Sequence, residues 1–288
     1  MKPLDYLLYG LTIFGWSTSW LALKWQLGVV APEVSLFWRF SAAAILMFII
    51  TRALGKQIWI PLHQHFRIAG LGLCLFSLNF ALFYYGGLNS TSGLLAVVFS
   101  LASVIIMLMV AALSRSWPRF EHLTAAFMGF CGVGLLYAPE LQVNVDILFS
   151  LVLCIMGTLV FSTGNILSAA AQRQGMPVMA TNCWGMVYGA TYLGLYSFFR
   201  GDEFTVEPTL TYLGGLIWLV VISTVMSFTA YLMLVGRIGP GRAGYATAVF
   251  PVFALLISSV MEGYDWSLLA LAGITLVAGG NVIMARIR

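Results

Sequence analysis

Apolar residues run through this chain in long blocks, with neither the one-in-two spacing of a half-buried strand nor the single stripe of a surface helix. The run from Leu94 to Leu113, LLAVVFSLASVIIMLMVAAL, is apolar on every face. A block of about 20 such residues matches the roughly 30 Å hydrocarbon core of a bilayer when it is helical, whereas a barrel strand would be about 10 residues long and alternate. Blocks of this kind recur ten times, over 5–23, 34–54, 66–87, 90–112, 119–138, 147–171, 177–199, 211–235, 241–262 and 266–286. The pattern predicts an all-α integral membrane protein of ten transmembrane helices. The first block is read as a membrane helix and not a cleaved leader, because no small-residue cleavage pattern follows it.

Composition agrees. Of 288 residues, 61% are hydrophobic and 8% charged, against about 25% charged in ordinary soluble domains. The four cysteines, Cys74, Cys131, Cys154 and Cys183, each fall inside a block and form no CxxC pair, so they indicate neither a disulfide framework nor a metal site.

The loops separate by sign. Lys2, Arg52, Lys56, Arg67, Arg115, Arg119, Arg173, Arg237, Arg242, Arg286 and Arg288 share one side. Basic residues favour the cytoplasm, which predicts both termini inside. The opposite loops hold Glu33, Glu140, Asp146, Asp202, Glu203, Glu207, Glu262 and Asp265. The net charge of +4 is therefore a topology signal and implies no nucleic-acid partner. His63-Gln64-His65 lacks a nearby Cys or Asp to complete a zinc site and is read as a solvated loop. No metal and no cofactor is expected. A membrane enzyme would bring a nucleophile and base to one depth, but His63, His65 and His122 lie in predicted loops.

The two halves echo one another. Trp16-Ser17-Thr18 returns as Phe161-Ser162-Thr163, and Pro32 returns as Pro177, each 145 residues on. Phe80 and Phe228, Gly93 and Gly241, and Ser103 and Pro251 are 148 apart, and Gly129 and Gly273 are 144 apart. Five spans per half is an odd number, so the second half, 141–288, enters the membrane from the side opposite to the first, 1–140. That predicts two inverted five-helix repeats around a central cavity, the plan of many secondary transporters.

These residues also carry a resemblance. The WST step at 16–18, Phe37-Trp38-Arg39-Phe40, Ser92-Gly93-Leu94 with Ala96 to Leu101, and Gly239-Pro240-Gly241-Arg242-Ala243 with Val249-Phe250-Pro251 resemble, in serial order, the EamA type of the drug/metabolite transporter superfamily. The resemblance spans essentially the whole chain. It implies a ten-helix transporter of a bacterial inner membrane, and the aromatic richness is similar to that of amino-acid exporters. The family pattern usually has Pro where Ser103 stands and an acid where Ser114 stands; the second half keeps both, as Pro251 and Glu262.

Polar and large amphipathic groups at mid-depth mark the expected substrate cavity: Trp16, Trp20, Asn79, Phe83, Tyr84 and Phe99 from the first half, and Phe161, Asn165, Ser227, Tyr231, Tyr245 and Pro251 from the second. Trp16 and Trp20 are four apart and share a helix face. Ring walls with a few polar groups suit an amphiphile such as an aromatic or thioether amino acid. Ser and Thr in membrane helices also serve simple packing. No Asp, Glu or His sits at mid-depth, which argues against a carboxylate that exchanges a proton for a cationic drug. Arg39 is expected to snorkel to the outer surface beside Glu33. Gly86, Gly87, Gly239, Pro240, Gly241 and Pro251 are the expected hinges for alternating access. The expected activity is amino-acid export; the alternatives are a multidrug exporter of cationic compounds and, from another class, a receptor or structural membrane protein. The substrate is a small molecule and the surroundings are lipid. Oligomeric state is left open, a monomer being compatible.

Overall fold

The computed structural model describes residues 2–143, 146–243 and 246–286. Among these residues every regular element is helical. The helices are α1 (Pro3–Lys24), α2 (Pro32–Ala53), α3 (Leu62–Gly87), α4 (Ser92–Leu113), α5 (Phe120–Val143), α6 (Asp146–Arg173), α7 (Val178–Arg200), α8 (Leu210–Ile238), α9 (Ala246–Met261) and α10 (Leu268–Arg286), with a short helical turn at Pro240–Ala243 before α9. Prolines open α1 and α2, where the missing N–H leaves no bond unmade. Gly201 closes α7 with a φ of 80°, a left-handed conformation that suits glycine.

Six helices, α2 to α6 and α8, are long and apolar enough to cross a membrane. Helices α1 and α7 have the length but carry Trp, Tyr, Ser and Thr, and the apolar parts of α9 and α10 are shorter, Val249–Met261 and Leu268–Ile283. The uniform set of ten blocks thus resolves into strongly and weakly apolar members, and burial does not set the difference, since of the six strongly apolar helices α4 is both the most apolar and the most buried. Large apolar side chains such as Ile45, Phe127, Phe149, Val260 and Leu268 are exposed around the outside. Trp59 and Trp117 are exposed in the connections before α3 and α5, where an indole suits the membrane surface.

Packing follows a pattern. Helix α1 lies against α8 and α9, and α6 lies against α3 and α4; α3 meets α7, and α2 meets α8. Helices α2 and α7, α4 and α9, and α5 and α10 pack on one another. Small residues let the backbones approach. A Cβ on Gly132 would stand 2.6 Å from the carbonyl oxygen of Gly273, and one on Gly273 would stand 2.7 Å from that of Gly132. Substituting either forces α5 and α10 apart.

Three helices are irregular in ways the apolar pattern does not announce. Cys74–Leu78 in α3 and Leu219–Phe228 in α8 are π-helical, and α4 is interrupted at Ser100–Leu101 between Ser92–Phe99 and Ala102–Leu113. Pro251, by contrast, lies inside the continuous helix α9. The fourth helix therefore breaks without a proline, three residues before Ser103. Of the expected hinges, Gly86 is a packing residue, since a Cβ there would meet Cys154 Sγ at 2.6 Å. Gly87 ends α3, and Gly239, with a φ of 86°, is a turn that glycine alone adopts without strain. Pro240 and Gly241 begin the short turn that follows.

Candidate functional site

The π-helical stretches and the break in α4 converge on the centre of the bundle. A cavity of about 30 Å³ lies there, bounded by Trp16, Ser19, Trp20, Leu23, Arg39, Asn79, Phe80, Phe83, Phe99, Leu219, Ser223 and Phe228. This volume accommodates a water molecule or two. The expected wet chamber is in this conformation largely filled by its own rings.

Trp16 is the hub. Its ring lies 5.7 Å from Phe99, 6.1 Å from Phe161, 5.6 Å from Phe228, 4.8 Å from Tyr231 and 6.0 Å from Phe250. One turn along α1, Trp20 lies 5.2 Å from Phe83 and 5.5 Å from Phe99 and stacks on Phe250 at 6.2 Å. Edge-to-face pairs of this kind are each worth about 0.5–1.5 kcal/mol beyond buried area. The rings come from α1, α3, α4, α6, α8 and α9, so any movement of the halves must repack them.

Five of the expected residues, Trp16, Trp20, Asn79, Phe83 and Phe99, border the cavity directly. Phe161 and Tyr231 stand behind Trp16. Tyr84 is buried near Arg39. Pro251 is buried in α9 next to Phe250. Asn165 is buried one helical turn beyond Phe161 and donates to its carbonyl at 3.0 Å, away from the cavity wall. Ser227 also leaves the site, because its hydroxyl joins the carbonyls of Leu11 at 3.0 Å and Ile222 at 2.8 Å and so ties α8 to α1. Tyr245 lies outside the described residues. The serines of the repeated step serve their own helices, Ser17 bonding the Ile13 carbonyl at 2.7 Å and Ser162 the Thr158 carbonyl at 2.7 Å, whereas Thr18 Oγ1 also accepts from Trp218 Nε1 of α8 at 3.0 Å.

Arg39 corrects the sequence reading most sharply. Its side chain does not snorkel; the residue is 1% exposed and borders the cavity. The Nε donates to Thr224 Oγ1 at 3.0 Å and an Nη to Ser223 Oγ at 3.2 Å, both on the π-helical stretch of α8. The guanidinium lies over the ring of Phe80 at 4.5 Å and that of Phe40 at 5.2 Å. Glu33, the expected partner, instead accepts from Tyr85 at 2.8 Å and pairs with Arg200 at 3.5 Å. Phe80 and Phe228 were visible as a repeated pair but not as cavity residues; Ser223, Leu219 and Ser19 had no distinguishing mark. His65 is likewise no solvated loop residue. It bonds Tyr188 at 2.8 Å and the Ile60 carbonyl at 3.1 Å inside the first turns of α3. Among the described residues, no group of three or more His, Cys, Asp or Glu stands together as a metal site would require.

Ties between α1 to α5 and α6 to α10 close both ends of the bundle. At one end Arg237 on α8 pairs with Asp5 on α1 at 2.6 Å, and the Tyr9 hydroxyl donates to the Arg242 carbonyl. At the other, Gln26 donates to the Tyr212 carbonyl at 2.7 Å, Glu33 meets Arg200, and the Glu262 carboxylate accepts from the Ser92 backbone N–H at 3.1 Å and from its hydroxyl. That last bond places an acid on the N-terminus of α4, where the helix dipole favours it. Lys24 clamps the α3–α4 connection by donating to the carbonyls of Gly87 at 2.6 Å and Ser90 at 2.9 Å.

A helical bundle with a ring-lined centre and breakable ties at both ends is the form of a transporter, and the comparisons agree. The sequence model of the EamA-like transporter family matches residues 5–138 and again 148–286. The chain belongs to the EamA-like transporter family. An uncharacterised transporter of Archaeoglobus fulgidus is 23% identical over 98% of this chain and 99% of its own length. The uncharacterised transporter YyaM of Bacillus subtilis is 25% identical over 90% of this chain and 86% of its own. One solved crystal structure superposes with a TM-score of 0.74 at 18% identity, covering 98% of this chain and 96% of the other, which is a likeness of fold.

Proposed function

We propose that this transporter exports amino acids with aromatic or other apolar side chains, and related amphiphilic metabolites, across a bacterial inner membrane by alternating access. The observation that carries the reading is the ring cluster around Trp16 and Trp20, bordered by only a few polar groups, Arg39, Asn79, Ser19 and Ser223. Such walls hold an apolar body while the polar groups set its orientation.

The architecture behind the reading is ten membrane spans in two inverted units, 1–140 and 141–288, with both termini in the cytoplasm. Three features support it. The family match occurs twice in series. The helix contacts keep their pattern when five is added to each helix number: α1 with α9 becomes α6 with α4, α1 with α8 becomes α6 with α3, and α3 with α7 becomes α8 with α2. The two π-helical stretches overlap at the 148-residue offset that relates Phe80 to Phe228. The two halves rock about these irregular helices, breaking one set of end ties while the other holds.

Uptake into inside-out vesicles tests the substrate. Phenylalanine, leucine or methionine accumulates in vesicles that carry the transporter and not in control vesicles. Accumulation of a cationic dye such as ethidium without any amino acid would favour the multidrug alternative and overturn this reading.

A further inference from the structure

Among the described residues that border the central cavity, Arg39 alone is charged. A guanidinium keeps its proton at any cellular pH, so the charge persists however deeply it is buried. Its hydrogen-bond partners are two neutral hydroxyls, Ser223 and Thr224, a third hydroxyl, that of Tyr84, lies beside it, and two ring faces, Phe40 and Phe80, cover it. They orient the group without neutralising it. Among the described residues no carboxylate lies within ion-pair distance of it, and Glu33, six residues away on the same helix, is engaged by Arg200 and Tyr85. A lone ion in a low-dielectric interior is unfavourable until a counter-ion arrives.

Two other groups on the same wall are also unsatisfied. Trp20 Nε1, a donor, and Asn79 Oδ1, an acceptor, are buried without hydrogen-bond partners. A charged fork and a second donor fit a carboxylate, and the carboxamide oxygen fits an N–H or O–H on a neighbouring carbon. Apart from the hydroxyls of Ser19 and Ser223 the remaining wall is apolar, and among the described residues it offers no acid to receive a cation.

We propose that Arg39 anchors the carboxylate of the transported molecule, and that the substrates are amphiphilic monocarboxylates with an aromatic or branched apolar body. The ammonium of an amino acid is tolerated but not required, since no charged group faces it. Cations are repelled by Arg39. Phosphates and dicarboxylates carry a second negative charge for which the wall has no second cation. This inference rests on the centre being the substrate site and narrows which molecules use it.

The test uses the full-length transporter, purified in detergent and reconstituted in liposomes, with three probes that share one ring: phenylalanine, 3-phenylpropionate and phenylalaninamide. Both carboxylates raise the thermal unfolding temperature and are exchanged in counterflow, and the amide does neither. Arg39→Gln weakens apparent affinity for the carboxylates by about tenfold to a hundredfold, and Arg39→Lys retains part of it. The ligand comparison in the wild type decides the matter even if the Gln variant does not fold. Equal handling of phenylalanine and its amide, full affinity in Arg39→Gln, or no effect of either carboxylate on the wild type would each overturn the anchor. Exchange of 3-phenylpropionate without phenylalanine keeps the anchor and removes amino acids from the proposed function. Exchange of phenylalanine unchanged in Arg39→Gln does the reverse.

Discussion

Trp16 meets Phe161, its counterpart 145 residues later, edge to face at 6.1 Å in the middle of the bundle. The aromatic member of the repeated step thus faces its own echo, while the serines that follow it bond carbonyls of their own helices and Thr18 also accepts from Trp218 of α8. Because four further rings also lean on Trp16, Trp16→Ala leaves a hole that no single neighbour fills. The loss expected is on the order of 3 kcal/mol, read as a fall in the unfolding temperature in detergent, together with a raised KM for transport. Trp16→Phe keeps most of both.

At Gly15, α1 packs directly against α8. A Cβ there would lie 1.8 Å from Ser227 Oγ and 3.2 Å from the Ile222 carbonyl. Gly15→Val is expected to cost about 1–3 kcal/mol by overpacking. Ser227→Ala in the same chain removes the nearest clashing atom, so Gly15→Ala with Ser227→Ala is less unstable than the two single changes predict when added. Gly10→Ala, with nothing within 4 Å, serves as the control and does not lower the unfolding temperature.

The Asp5 and Arg237 pair ties the start of α1 to the end of α8. Asp5→Asn weakens that tie, so a cysteine placed at the buried Thr12, about two turns further along α1, is labelled several-fold faster by a water-soluble thiol reagent in the folded protein. Exchanging the charges, Asp5→Arg with Arg237→Asp, restores protection. Equal labelling rates in all three would show that the pair has no part in closing that end.

Glu262 and Ser92 form the corresponding tie at the opposite end. Cysteines at both positions, in a chain with Cys74, Cys131, Cys154 and Cys183 replaced, joined by a short bifunctional thiol reagent, are expected to stop transport, and cleaving the linker restores it. Undiminished flux in the linked protein rules out rocking of the halves. The position equivalent to Glu262 in the first half is Ser114, and the position equivalent to Ser92 is Pro240, each by the 148-residue offset. Proline has no N–H for an acid to accept, which gives a physical reason why the first half has no acid at 114.

Helix positions and the aromatic part of the site were legible in the chain, because long apolar blocks and mid-depth Trp and Phe are composition signals that survive without knowledge of neighbours. What was not legible depends on partners. The π-helical stretches at Cys74–Leu78 and Leu219–Phe228 have no residue signature, and the break at Ser100–Leu101 contains no proline or glycine. Arg39 stands near a helix end, where snorkelling is the usual outcome; only the arrival of Ser223 and Thr224 from α8 makes burial tenable. Asn165 and Ser227 show the same dependence on partners, although Asn165 Oδ1 is left buried without one. Both are polar and central, yet each is claimed by a carbonyl, in its own helix or across the α1–α8 contact, and neither borders the cavity.

Counterflow of radiolabelled phenylalanine in liposomes containing the purified transporter tests the central claim most directly. The account predicts transient accumulation of label in liposomes preloaded with unlabelled phenylalanine, at least several-fold weaker in folded Trp16→Ala. No counterflow of any aromatic or apolar amino acid by folded wild-type protein, or full counterflow in that variant, would contradict it.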